Sequence, residues 1–223
     1  MKIGIELEAG FNTDKLSKIN DYCEKNDAEF KGDGSVYCRK NNSTPREIAT
    51  RPYKHSEITE IENFWNRVYR DIVEINNSMG LHLHFSFDEM GDYNALCSHN
   101  FVNYFKRELK KNFKDNTILI GRLKNRYCRS SYSKDYFQNM RFDDRYKMIN
   151  WSAFGRHHTV EFRIFNAPED AKGLMNYLLF TMTVIQKFLK DFQYKITEEA
   201  DRLPDLKSEI VEAVENGMIV KVI

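Results

Sequence analysis

Cysteine is scarce in this 223-residue sequence: Cys23, Cys38, Cys97 and Cys128 lie far apart, with no CxxC pair. That spacing excludes a zinc ribbon and a disulfide-dense secreted module, and reduced, mostly buried thiols are expected. Proline is equally sparse, with only Pro45, Pro52, Pro168 and Pro204 to punctuate linkers. Without an internal repeat or a low-complexity tract, a split into several domains has no support. Long apolar runs are missing too. The longest uncharged stretch, Gly173 to Gln186, falls short of the roughly 20 residues that a membrane-spanning helix needs. The opening MKIGIELEAG places two glutamates where a secretory signal needs an apolar run, so a cytoplasmic location is expected. Neither sign of charge is in excess, with 34 Lys and Arg against 33 Asp and Glu. No global field draws the chain to a polyanion, and any charged function must come from local clusters. No Walker-type glycine loop or dinucleotide fingerprint occurs.

What is present is ordinary globular material, 41% hydrophobic, 13% aromatic and 30% charged. Period-two patterning predicts strands over Lys2 to Glu8, Arg46 to Arg51, Leu81 to Phe87 and Thr159 to Phe165, with a weaker one over Ser35 to Arg39. Helices are predicted over Thr13 to Asn26, Ser56 to Asn77 and Tyr93 to Lys111. Leu174, Tyr177, Leu178, Thr181, Val184, Ile185, Phe188 and Leu189 recur on one face of a further, core-facing helix. A last helical pattern, Glu198 to Asn216, carries seven acidic and two basic residues and reads as a solvated flank. The fold class is α+β, with helices laid on one face of a largely antiparallel sheet.

The strands share an unusual choice of polar residues. Ile3, Ile5 and Leu7 alternate with Gly4, Glu6 and Glu8; Leu81, Leu83, Phe85 and Phe87 alternate with His82, His84 and Ser86. Val160, Phe162 and Ile164 alternate with Thr159, Glu161 and Arg163, and Ile48 and Thr50 with Glu47, Ala49 and Arg51. A half-buried strand normally has a wet polar face, but that face is usually a mixture of Lys, Glu, Thr and Ser. Here Glu-x-Glu, His-x-His and Glu-x-Arg recur, and residues two apart leave a strand on the same side roughly 6.5–7 Å from each other. Such pairs can converge on one cation. A carboxylate-rich, cysteine-free set suits Mg²⁺ or Mn²⁺ better than structural zinc, while zinc held by two histidines and a carboxylate stays open.

A second cluster runs from Lys106 to Arg129, where nine basic residues meet only Glu108 and Asp115. Lys106 to Lys114 fit a solvated helix face. Arg122, Arg126 and Arg129 are better placed to fork onto phosphates, and the interleaved Tyr127, Tyr132 and Tyr136 leave a base-stacking surface open.

Taken in order, Gly4-Ile-Glu-Leu-Glu8, Asp33-Gly-Ser35, Glu47-Ile-Ala-Thr-Arg-Pro52, Gly80-Leu-His-Leu-His84, the segment around Arg126 to Arg129, Tyr146 to Asn150 and Thr159-Val-Glu-Phe-Arg163 resemble the amidoligase family. That family is related in fold to glutamine synthetase and glutamate–cysteine ligase. The resemblance runs from Met1 to about Leu189. It implies a glutamine synthetase-like curved antiparallel sheet whose concave polar face holds the site. Residues 1–195 would form the catalytic domain and 196–223 an acidic helical extension of it.

The implied activity is an ATP- and Mg²⁺-dependent carboxylate–amine ligase working through an acyl phosphate. Glu6 and Glu8 would divide between two Mg²⁺ ions, with Glu47 joining one and His82 and Glu161 completing the other; Mn²⁺ is the alternative metal. Glu47, His84 and Arg163 are the implied catalytic residues. Ser86 and His84 would face nucleotide or substrate, Arg163 would neutralise phosphate charge, and Arg122, Arg126 and Arg129 are the candidates for the ATP phosphates. The expected partners are small-molecule or peptide carboxylates and amines, without a membrane and without nucleic acid, and self-association is left open. Two rivals remain at this stage: a metal-dependent hydrolase using Glu6, His82, His84 and Glu161, which needs no ATP, and a non-catalytic nucleic-acid or acidic-partner module using Lys106 to Arg129.

Overall fold

Ile3, Ile5, Leu7, Ala9 and Phe11 alternate along Lys2–Asn12 (β1), and all five are fully buried. This computed structural model describes residues 1–133, 136–137 and 144–202, with side chains of the final helix described through residue 192. The other strands are Glu29–Gly32 (β2), Ser43–Ala49 (β3), Tyr53–Lys54 (β4), Ile72–Glu74 (β5), Gly80–Ser86 (β6), Ile149–Asn150 (β7) and Val160–Asn166 (β8). They form one sheet in the order β2-β3-β1-β6-β8-β7, with β4 and β5 also pairing with β1. Every pairing between these strands is antiparallel. β1 therefore lies at the centre, and its neighbours supply the rest of the polar face.

The helices are Leu16–Glu24 (α1), Ile58–Val68 (α2), Met90–Leu96 (α3), His99–Asn112 (α4), Thr117–Arg122 (α5), Phe154–His157 (α6) and Ala171–Arg202 (α7). α4 and α7 pack on the apolar side of the sheet. The Phe162 ring on β8 lies 5.5 Å from Phe85 on β6 and 5.0 and 6.2 Å from Phe105 and Phe101 on α4. Phe165 stacks on Tyr177 of α7 at 4.6 Å. Leu174, Leu178, Thr181 and Ile185 are fully buried on α7, at the spacing of one helix face. No helix among the described residues is long and apolar enough to cross a membrane. The four cysteines are free, with Cys23, Cys97 and Cys128 buried.

Several expected elements differ. The helix expected over Ser56 to Asn77 stops at Val68. Asp71, buried just beyond it, takes Lys15 and Arg67 as partners, and the β-branched Ile72 and Val73 that follow join β1 as a strand. The helix expected over Tyr93 to Lys111 is two helices, because Ser98 leaves the helical conformation and its hydroxyl caps the Phe101 N–H. Ser35 to Arg39 is loop, not strand. The edge strand falls earlier, at Glu29–Gly32, and ends where the Asp33 side chain accepts from the Ser35 N–H and hydroxyl. On β8 the period-two pattern breaks: the register passes from Leu83↔Phe162 to Leu81↔Phe165, so a bulge lies opposite His82 and Phe165 returns to the core face. The helix expected over Glu198 to Asn216 lies outside the described residues beyond Arg202.

Candidate active site

Residues in register across antiparallel strands share a face, and here the polar residues are in register. β1 and β6 pair Glu6 with His82 and Gly4 with His84; β6 and β8 pair His84 with Glu161. β1 and β3 pair Glu8 with Glu47, and β7 and β8 pair Asn150 with Glu161. A single sheet face thus collects side chains from five strands.

His82 sits at the middle of this face. Its Nδ1 is 3.3 Å from Glu6 Oε2 and 3.6 Å from Glu161 Oε1, and its Nε2 is 4.0 Å from Glu8 Oε1. His84 turns Nε2 to within 3.5 Å of Glu6 Oε1, while its Nδ1 lies 3.1 Å from the Thr159 hydroxyl. Glu161 accepts from Asn150 Nδ2 at 2.6 Å and from Arg163 Nη1. Gly80 allows the close approach of the next group. Its N–H donates to Glu8 Oε2 at 2.7 Å, and a Cβ there would stand 3.1 Å from that oxygen, 3.3 Å from Arg122 Nη2 and 3.4 Å from His82 Nε2.

Two sets of ligand atoms emerge, Glu6 with His84 and Glu161, and Glu8 with Asp33 and Glu47, each set lying within 4.8 Å of one another. Donors at such separations can share a cation about 2.1 Å from each. His84 Nε2 is buried and makes no hydrogen bond, although it faces two carboxylates. A buried ring nitrogen without a partner is costly, and an electrophile bound between it and the carboxylates would satisfy it. The oxygen-rich composition of both sets fits Mg²⁺ or Mn²⁺.

The electrostatics divide the carboxylates. Burial pushes Glu6 and Glu161 up, but the imidazoles of His82 and His84 overcome it at Glu6, and His82, Arg163, His84 and Asn150 overcome it at Glu161, so both are held below the ordinary carboxylate range. Glu8 is pushed up by burial, with Asp33 and Glu47 adding to the effect. For His84 burial works against protonation, yet Glu6 and Glu161 outweigh it and raise its pKa. At Glu6 and Glu161 the neighbouring cationic groups thus prevail over burial, whereas at Glu8 burial prevails over His82 and the Gly80 N–H.

The arginines expected near phosphates separate. Arg122 reaches this face beside Gly80 and Glu8, and it also holds the β8 bulge, donating through Nε to the Ile164 carbonyl at 2.9 Å and through Nη2 to that of Arg163 at 3.3 Å. Arg126 lies over the ring of its neighbour Tyr127, and Arg129 pairs with Asp144. Ser86 ends β6 opposite Lys2, two residues beyond His84 on the same face. Two of the three tyrosines considered for base stacking turn inward. Tyr132 and Tyr136 pack against Trp151 at 6.0 and 6.3 Å, and the Tyr132 hydroxyl donates to the Ile149 carbonyl, because aromatic bodies beside an apolar strand gain more by burial than by exposure. Tyr127 alone remains well exposed.

With Glu161 and Arg163 thus placed, their stretch of chain can be compared with known families. Residues 92–185 match the family model described as "Putative amidoligase enzyme". The match includes Arg122, Asn150, Thr159, Glu161 and Arg163, whereas Glu6, Glu8, Asp33, Glu47, His82 and His84 come from the part of the chain before it. No curated protein and no solved structure gives a significant match.

Three residues of this face had no role assigned from sequence. Asp33 was visible in Asp-Gly-Ser, but its loop position hid that it reaches Glu8 and Glu47. Asn150 and Thr159, which bond to Glu161 and His84, lie within the segments that carry the resemblance, and Thr159 in the polar phase of its strand, but neither had a role assigned.

Proposed function

We propose that the protein is an ATP- and Mg²⁺-dependent carboxylate–amine ligase of the glutamine synthetase-like kind, with its active site on the polar face of the sheet. The observation that carries this reading is the set of Glu6, His84 and Glu161 donor atoms within 4.8 Å of one another, in a chain whose residues 92–185 match an amidoligase family. Glu6, His84 and Glu161 would hold one Mg²⁺, and Glu8, Asp33 and Glu47 a second. His82, within 4.0 Å of Glu6, Glu8 and Glu161, keeps the two sets in register. Bound there, Mg²⁺ supplies charge neutralisation for the phosphates.

In this reaction a carboxylate oxygen of the acid takes the γ-phosphoryl of ATP, giving an acyl phosphate and ADP. The amine nitrogen then attacks the carbonyl carbon, inorganic phosphate leaves, and the nitrogen loses its proton to give the amide. Arg163, held by its bond to Glu161 and by the bulge that Arg122 supports, would neutralise the charge that develops on the phosphoryl group. Glu161 and Asn150 keep that guanidinium from rotating. Substrates would be small-molecule or peptide carboxylates and amines.

The test is ATP cleavage screened across paired acids and amines. A ligase cleaves ATP only when both partners are present, and hydroxylamine in place of the amine traps a hydroxamate. Cleavage of an amide or phosphoester with divalent metal and no ATP would replace this reading with a hydrolase.

A further inference from the structure

We propose that Lys31 is a displaceable counter-ion of Glu47 that lowers the affinity of the Glu8–Asp33–Glu47 set for a cation; this rests on the two-cation reading above. The β2–β3 register pairs Lys31 with Glu47, which places both on the polar face, and Lys31 Nζ lies 2.9 Å from Glu47 Oε1. The same ammonium is 3.4 Å from Glu29 Oε2, so it has a second acceptor to move to. Lys31 is 48% exposed on an edge strand, while Glu47 is 13% exposed. Its long stem can swing into water without unpacking anything. The cationic group beside the first set cannot do so: Arg163 is 17% exposed and fixed to Glu161.

A divalent cation about 2.1 Å from a carboxylate oxygen excludes an ammonium at hydrogen-bond distance from that oxygen, because the two like charges would then lie within a few ångströms in a partly buried site. Cation binding at the second set therefore expels the Lys31 ammonium from Glu47. Each equivalent bound there carries the cost of breaking that pair. The side chain that lowers the affinity of this set lies outside it.

The experiment is a Mn²⁺ titration without nucleotide, followed by calorimetry and by the Mn²⁺ electron-spin signal, on wild type, Lys31→Met, Lys31→Arg and Glu47→Gln, with melting temperatures recorded alongside. Wild type should bind two equivalents. Lys31→Met should tighten one of them by about three- to tenfold, the size expected for a half-exposed pair acting on a dication, and leave the other unchanged. Lys31→Arg should keep the wild-type affinities, and Glu47→Gln should lose the equivalent that Lys31→Met tightens and no other. Two equivalents whose affinities do not change in Lys31→Met would overturn the role of Lys31 and leave the ligase reading standing. No Mn²⁺ bound by any of the four proteins would overturn both.

Discussion

Two regions of the molecule bury carboxylates, and they satisfy them differently. Away from the polar face, Asp71 takes Lys15 Nζ at 2.7 Å and Arg67 Nη1 at 2.6 Å. Glu74, in register with Gly10 and so at the far end of the polar face, accepts from the Arg39 and Lys40 backbone N–H groups and from Asn76, and so anchors the loop after β2. In the two ligand sets, Glu161 accepts from Asn150 and Arg163 and Glu8 from the Gly80 N–H, but these two and Glu6 also meet imidazoles at 3.3–4.0 Å, distances too long for good hydrogen bonds, and His84 Nε2, 3.5 Å from Glu6 Oε1, makes no hydrogen bond. Asp71 and Glu74 find all their partners at close range and hold the fold; Glu6, Glu8 and Glu161 also face imidazoles across longer gaps, room that a cation could use.

Substitutions should separate the two regions. The largest effect is expected at Asp71, because Asp71→Asn leaves two cations facing a neutral group; stability should fall by about 2 kcal/mol, less than for a fully buried pair since both cations can reach water. Chemical denaturation measures it. The sign with pH follows from the lowered pKa of Asp71, where burial is outweighed by Lys15 and Arg67. A lowered folded pKa contributes stability above the unfolded value that is lost as pH falls, so wild type and Asp71→Asn should converge below about pH 4.

Glu74→Gln should cost about 1–2 kcal/mol, since an amide oxygen can replace only part of the carboxylate's acceptance from three donor groups. Limited proteolysis should then cut the loop between β2 and β3 first.

The smallest effect, and the opposite sign, belongs to Glu8. Burial raises its pKa, so ionisation opposes folding: stability is full below the unfolded value near 4.5 and declines as pH rises through the folded one. Glu8→Gln should therefore match wild type at pH 4 and exceed it at pH 7 by no more than about 1 kcal/mol. Mg²⁺ should narrow or reverse that gap, as only wild type gains a full ligand. A loss at Glu8 as large as that at Asp71 would erase the distinction between the two regions.

Much of this division is legible in the sequence, for physical reasons. Strict alternation in β1 and β6 fixes which residues share a face, so Glu6, Glu8, His82 and His84 could be grouped without coordinates. The pairing of strands distant in sequence could not be read in the same way, and it is pairing that sets His84 rather than His82 opposite Glu161. Asp33 lies in a turn, where periodicity says nothing about direction. The β8 bulge left one trace, the adjacent buried pair Ile164 and Phe165, which strict alternation forbids. The breaks at Val68 and Ser98 were masked by apolar spacing that continued through them, although a serine inside a helical run is a recognisable cap.

On the proposed function, the polar face binds a divalent cation together with ATP. The most direct test is the melting temperature of wild type and Glu161→Gln in EDTA, in Mg²⁺, and in Mg²⁺ with ATP. Wild type should melt progressively higher across the three conditions, because a ligand that binds only the folded state stabilises it by mass action. Glu161→Gln, which removes one charge from the Glu6–His84–Glu161 set while keeping its size, should lose most of that gain. An equal rise in both proteins, or none in wild type, would contradict the account.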